Sequence, residues 1–200
     1  KYTPPNINVM LLKKILVLLI FILTVDVAMA TEISPTGSSD QNIINQALES
    51  GGTVHLNAGV YLVDGPIYIK SNTQLEGDKD AIIRVSSSSS QYFTGMTGII
   101  SSNGYVENIE ISGFQIDGNC DELPSSYSKS APQYDHDAER AIIINGETEK
   151  FCNNIVVKNM QIYDFFSDGV HVRFANNVLV HDNFISNCQH EGIFFTSVVN

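Results

Sequence analysis

The sequence predicts an all-β solenoid, a stack of coils made of short strands, and three observations lead there. "NIEISGFQIDG" from Asn108, "NIVVKNMQIYD" from Asn154 and "NVLVHDNFISN" from Asn177 align without gaps, at offsets of 46 and 23 residues. "AIIING" from Ala141, "GVHVRF" from Gly169 and "GIFFTS" from Gly192 form a second phase within the same period. Apart from one early helical stretch, the chain holds only short strand-like segments separated by Gly, Asn, Asp and Ser. A period in the low twenties with no helix per repeat marks stacked β-coils, each adding about 4.8 Å of rise.

The elements follow in chain order. Residues 10–30 read as a secretory signal: Lys13 and Lys14 form a basic segment, "ILVLLIFILTV" an apolar one of eleven residues, and Ala28-Met29-Ala30 a small-x-small cleavage site. The apolar run is shorter than the ~20 residues a membrane-spanning helix needs. Residues 1–9 precede a plausible start methionine and read as an upstream extension. The domain proper is residues 31–200, with no membrane association expected once the signal is cleaved.

Asp40 is expected to N-cap a helix over "QNIINQALE", with Ile43, Ile44, Ala47 and Leu48 on one face and Gly51-Gly52 ending it. That helix would cover the open apolar end of the first coil. "TVHL", "VYLV", "PIYIK", "AIIRV" and "GIISS" read as strands, and Ser86 to Ser90 as a solvated turn. Residues 119–140, "NCDELPSSYSKSAPQYDHDAER", interrupt the repeat as a long excursion from one coil. Asn108, Asn154 and Asn177 recur at one phase, where their amides can hydrogen-bond along the stack. At the far end, "EGIFFTSVVN" stops inside a strand-rich coil, so the domain is expected to be an incomplete solenoid.

Charge restricts the partners. The whole chain carries −11, and loss of Lys1, Lys13, Lys14 and Asp26 with the signal leaves 8 basic against 21 acidic side chains, a net −13. Such a surface repels nucleic acid and anionic membranes. Cys120, Cys152 and Cys188 are too few for a disulfide framework and lack zinc-site spacing. A Cys120–Cys152 bridge at the loop is one reading, and burial as small hydrophobes the other.

"SGGTVHLNAGVYLVDGPIYIKSNTQLEGD" after a helix resembles the amino-terminal end of right-handed parallel β-helix proteins of the pectin-lyase type. The resemblance covers roughly residues 40–200 and implies a right-handed parallel β-helix with an N-terminal capping helix. It specifies chemistry poorly, since that fold hosts hydrolases, lyases, epimerases, esterases and tailspikes. More narrowly, "NAGVY…GPIYIKSNTQLEGDKDAIIRV" and "DHDAER…FSDGVHVR…NFISNCQHEGIFF" are similar to the disaggregatase-related polysaccharide-degrading proteins of methanogenic archaea. That similarity implies a matrix polysaccharide as substrate. "FSDGVHV" also resembles the Asn-Thr-Asp-Gly coil of polygalacturonases, retaining Asp168 and Gly169. There His190-Glu191 stands where that family has two aspartates, and its later Gly-His-Gly and Arg-x-Lys coils have no match.

The 23-residue register puts Asp168 and Glu191 at one phase on adjacent coils, with His171 opposite Phe194 and Arg173 opposite Thr196. Matching Ile142 and Ile144 to Val170 and Val172 sets Arg140 one coil earlier in the same column. Strand alternation turns Val170, Val172, Ile193 and Phe195 inward and His171, Arg173 and Phe194 outward. The candidate catalytic residues are therefore Asp168, Glu191, His190 and His171. Two neighbouring carboxylates can divide acid and base roles in glycoside hydrolysis. Alternatively, His171 or His190 can take the α-proton of a uronate whose carboxylate Arg140, Arg173 or a cation neutralises.

Arg140, Arg173, Phe194 and His136 are the candidate substrate contacts. Asp135, Asp137 and Glu139 are candidate metal ligands, with Ca2+ the expected cation because oxygen ligands suit it. His55 and His181 read as structural. The expected function is a secreted or cell-surface polysaccharide-degrading enzyme, a glycoside hydrolase or uronate lyase acting on an extracellular acidic, uronate-containing glycan. The alternative is a non-catalytic glycan-binding or adhesin module.

Overall fold

The computed structural model describes residues 29–87, 98–123 and 140–200. Residues 1–28, which hold the upstream extension and nearly all of the signal sequence, lie outside the described residues. So do the later part of the serine run and residues 124–139, which include Asp135, His136, Asp137 and Glu139.

One helix and fifteen strands are described: β1 (Thr31–Ile33), α1 (Gln41–Leu48), β2 (Gly52–Leu56), β3 (Gly59–Val63), β4 (Ile67–Ile69), β5 (Thr73–Gly77), β6 (Ala81–Val85) and β7 (Gly98–Ser102). They continue as β8 (Glu107–Ser112), β9 (Gln115–Asp117), β10 (Arg140–Asn145), β11 (Cys152–Lys158), β12 (Gln161–Phe165), β13 (Val170–His181), β14 (Phe184–Cys188) and β15 (Ile193–Val199). Every pairing between these strands is parallel, as a coil stacked on a coil requires. A five-stranded sheet runs β14-β12-β9-β6-β3, and the larger sheet runs β1-β2-β5-β8-β11-β13-β10-β7-β4 with β15 on β13. β13 joins two faces of the coil: Val170 to Arg173 pair with β10, and Ala175 to His181 with β11. Phe174, at φ 48°, makes the bend between them.

The corners explain the sequence period. Asn154 and Asn177, Asn159 and Asp182, Asp164 and Asn187, and Phe174 and Ser197 are each 23 residues apart, and all have positive φ. Asn and Asp tolerate this left-handed conformation better than other side chains. At one corner the amides form the expected ladder: Asn177 Nδ2 donates to Asn154 Oδ1 (3.2 Å), Asn154 to Asn108 (2.7 Å) and Asn108 to Asn72 (2.8 Å). We expect Asn154→Ala to lose two of these bonds, about 0.5–1.5 kcal/mol each, plus the ~1–2 kcal/mol left-handed penalty. Asn154→Gly should lose only the bonds, so urea unfolding of the pair separates ladder from backbone.

Inward positions stack like on like. Ile109, Ile155 and Val178 form one column, and Ile142 and Val170 another, all buried. Removing such a side chain down to Ala costs about 2–5 kcal/mol. Ile193 and Phe195 hold the predicted register against Val170 and Val172, yet on this last described coil they are 46% and 43% exposed.

Two expectations are corrected, and one strand is added. Asp40 precedes the helix but makes no side-chain cap. Its buried carboxylate instead accepts from Thr36 N–H and Oγ1 (2.7 and 2.6 Å) and from Leu62 N–H (2.8 Å), tying the helix start to β3. The "TQLEG" segment, not among the strands named from the sequence, is strand β5. Its buried Thr73 and Leu75 alternate with outward Gln74 and Glu76, and the polar half masks the pattern. Cys120, Cys152 and Cys188 are outside any disulfide, so no Cys120–Cys152 bridge forms. Cys152 instead packs buried in the core, where desolvation raises its thiol pKa.

Candidate active site

The site lies where β13 and β15 begin. Gly169 and Gly192 share one phase, and at Gly169 the reason is steric: a Cβ there would lie 2.6 Å from Gly192 O and 2.7 Å from Ile185 Cγ2. Only glycine lets adjacent coils approach this closely while the preceding residues form the turn. Gly169 N–H donates to Glu191 O (2.9 Å) and Val170 N–H to Gly192 O (2.9 Å), which locks the two turns in step. The predicted register is observed, with Val170 opposite Ile193, His171 opposite Phe194 and Arg173 opposite Thr196. Ile142 pairs with Val170 as matched in the sequence, which brings Arg140 under Asp168.

Asp168 is the hub and is fully buried. Its Oδ2 accepts from Arg140 Nε (3.2 Å) and lies 2.8 Å from His171 Nδ1. Its Oδ1 lies 2.6 Å from His190 Nδ1 and accepts the Glu191 backbone N–H (3.2 Å). Burial pushes the carboxyl pKa up, but the bonds from His171, His190 and the Glu191 N–H outweigh it. They hold Asp168 well below the ordinary carboxylate range. Arg140 is equally buried, so this is a desolvated ion pair within a hydrogen-bonded cluster. Removing one partner of such a pair costs about 3–5 kcal/mol because the other charge is left buried.

These contacts place Asp168 beneath the surface, buried among four hydrogen-bonding partners, rather than open beside Glu191. His171 is also corrected. It was expected on the outer surface, but it is 2% exposed, because the Phe194 ring of the next coil lies edge-on against it at 4.7 Å. Its Nδ1 is taken by Asp168, while its Nε2 is buried with no hydrogen-bond partner.

His190 and Glu191 are the accessible members, with side chains 35% and 44% exposed. Glu191 Oε2 is in close contact with His190 Nδ1. Phe194 also approaches His190, at a ring separation of 6.4 Å. The Arg173 guanidinium lies over the Phe174 ring at 5.4 Å. Sequence reasoning missed Cys188, whose thiol is pushed up to about 11 by burial and by the charges of Asp168 and Asp164. The signal was its position at the end of β14, two residues ahead of His190.

His55 lies between Glu76 and Asp78, at 3.4 Å from each, and His181 bonds to Asp182 (2.7 Å).

No family model matches the chain. YclG of Bacillus subtilis (strain 168), an uncharacterized protein, is 29% identical over 145 residues, covering 64% of this chain. The chain spans only 23% of that relative. Among solved structures, the chain is similar to the A-module of the mannuronan C-5 epimerase AlgE4 from Azotobacter vinelandii. The TM-score is 0.60 at 16% identity over 86% of this chain and 56% of that one. The family 28 exopolygalacturonase of Yersinia enterocolitica gives a TM-score of 0.60 at 18% identity, over 86% of this chain and 42% of that one. PfbA, a surface adhesin of Streptococcus pneumoniae, gives 0.61 at 21%, over 80% of this chain and 38% of that one. At these identities the likeness is one of fold alone: the chain is folded as the pectin-lyase-like parallel β-helix proteins are.

Proposed function

We propose that this chain is a secreted enzyme that removes a proton from a uronate of an extracellular acidic glycan and so cleaves the polysaccharide by β-elimination. The observation that carries the reading is the state of His171. Leaving a buried polar nitrogen unpaired costs about 1–3 kcal/mol, and a catalytic role is one of the few reasons a native structure keeps such a group. Ionised Asp168 favours the proton on Nδ1 and leaves the Nε2 lone pair as a base. The base takes the proton α to the uronate carboxylate, the glycosidic C–O bond breaks, and the leaving oxygen takes a proton from solvent.

Hydrolysis by a carboxylate pair fits the same residues less well. It needs two carboxyl groups facing the sugar, ~5–5.5 Å apart for retention or ~6.5–9.5 Å for inversion. Here an oxygen of Asp168 and one of Glu191 lie within 4.8 Å of each other across His190, and Asp168 is sealed. Phe194 must swing off His171 to admit substrate, and its ring then offers a face to the sugar.

The remaining parts of the proposal rest on sequence. The signal-like residues 10–30 support secretion. The disaggregatase resemblance supports the matrix glycan of cell clumps as substrate, and the loop carboxylates Asp135, Asp137 and Glu139 are proposed as ligands of Ca2+. Helix α1 is proposed as the cap of a right-handed coil stack. A binding module is the second reading, favoured by the likeness to a surface adhesin.

The test incubates the chain with uronate-rich polysaccharides and follows reducing ends together with ultraviolet absorbance of the unsaturated uronate. The proposal expects both signals to rise in step. Reducing ends alone mean hydrolysis, and glycan binding with neither signal means the module.

A further inference from the structure

Beside Asp168, one carboxylate oxygen each from Asp168 and Glu191 and a ring nitrogen of His190 all lie within 4.8 Å of one another. Hydrogen bonding accounts for the contact between His190 and Asp168 but not for the third member. His190 Nδ1 sits 2.6 Å from Asp168 Oδ1 and is in close contact with Glu191 Oε2 as well. An imidazole nitrogen carries a single hydrogen in the ring plane, so it can serve one of these oxygens and not both. Glu191 Oε2 is accordingly buried without a hydrogen-bond partner. Two carboxylate oxygens gathered on one nitrogen repel each other unless positive charge lies among them.

We propose that Asp168, His190 and Glu191 form a three-ligand site for a first-row divalent transition metal of the zinc class, distinct from any calcium held by oxygen ligands alone. A cation there takes one lone pair from each of the three atoms and satisfies Glu191 Oε2. The nitrogen donor sets the chemical class: calcium takes six to eight oxygens, whereas imidazole with carboxylates suits zinc and its neighbours. The stack supplies the spacing. His190 and Glu191 are consecutive in the turn before β15, and Asp168 occupies the same phase one coil earlier.

The supporting shell is present as well. Arg140 and His171 hold the other oxygen of Asp168, fixing it as outer-shell partners fix a metal-binding carboxylate. Three protein ligands leave coordination positions for an oxygen of a ligand. The use of that position to neutralise a uronate carboxylate rests on the function proposed above; metal binding itself does not.

The full chain, stripped of metal with a chelator, is titrated with Co2+ and then Zn2+. Cobalt reports its ligands through visible d–d bands, and the absence of thiolate charge-transfer bands keeps the cysteines out of the account. We expect one Co2+ per chain, displaced by Zn2+ and not by Ca2+. His190→Ala and Glu191→Gln should each weaken binding by at least the ~10–100-fold that loss of an outer-shell partner alone costs. Both substituted side chains are partly exposed, so each variant should fold, which circular dichroism checks. The proposal is overturned by the absence of cobalt bands, by bands that persist unchanged in both variants, or by calcium competing equally with cobalt. None of these readouts involves glycan cleavage, so this inference can fail while the elimination reading stands.

Discussion

Asp168→Asn should destabilise the fold by about 3–5 kcal/mol at neutral pH, since it removes one charge of the buried Arg140–Asp168 pair. The substitution keeps the shape of the side chain, so the loss reports charge rather than packing. The pH dependence has a definite sign. The folded pKa of Asp168 is depressed, so its stabilisation is present above the ordinary carboxylate value of about 3.9. It is lost as pH falls below that value toward the folded pKa. In urea titrations, the stability difference between wild type and Asp168→Asn should therefore be largest above about pH 4 and shrink as the solution is acidified below it. Equal stability of the two proteins at neutral pH would mean that Asp168 is not the ionised hub described here.

His171→Ala should lower kcat on a uronate glycan by about 10²–10⁴-fold, the usual contribution of a positioned proton-transfer group. Its effect on stability should be the smaller one. The substitution relieves a buried unpaired Nε2 while it gives up one hydrogen bond to Asp168. Cleavage assays beside urea unfolding separate the two. A variant that keeps full kcat would remove His171 from the chemistry, whatever its stability.

Legibility in the sequence followed the kind of physics involved. The coil period was readable because it is set by corners: an Asn or Asp at positive φ every 23 residues leaves a direct mark on composition. The shared phase of Arg140, Asp168 and Glu191 followed from matching Ile142 to Val170, because parallel register carries every side chain along with it. Strand β5 was hidden because its outward Gln74 and Glu76 dominate a five-residue segment.

The direction of a side chain was legible, but its burial was not. Alternation sends His171 outward, yet burial depends on Phe194 one coil away and on which groups Asp168 gathers. The same limit applied to Asp40, whose sequence position suits a helix cap but whose carboxylate finds Leu62 across the fold. For Asp168 the sequence gives a carboxylate at the right phase. The choice between acid, base and anchor was made by four donors from three different segments, which no local pattern records.

The central claim is that His171, oriented by Asp168, removes the proton next to a uronate carboxylate. The most direct measurement uses a uronate polysaccharide labelled with deuterium at that carbon and follows release of the label into water. The account predicts release by the wild-type chain in step with cleavage, and its loss in His171→Ala. Cleavage of the glycan with the label fully retained would contradict it.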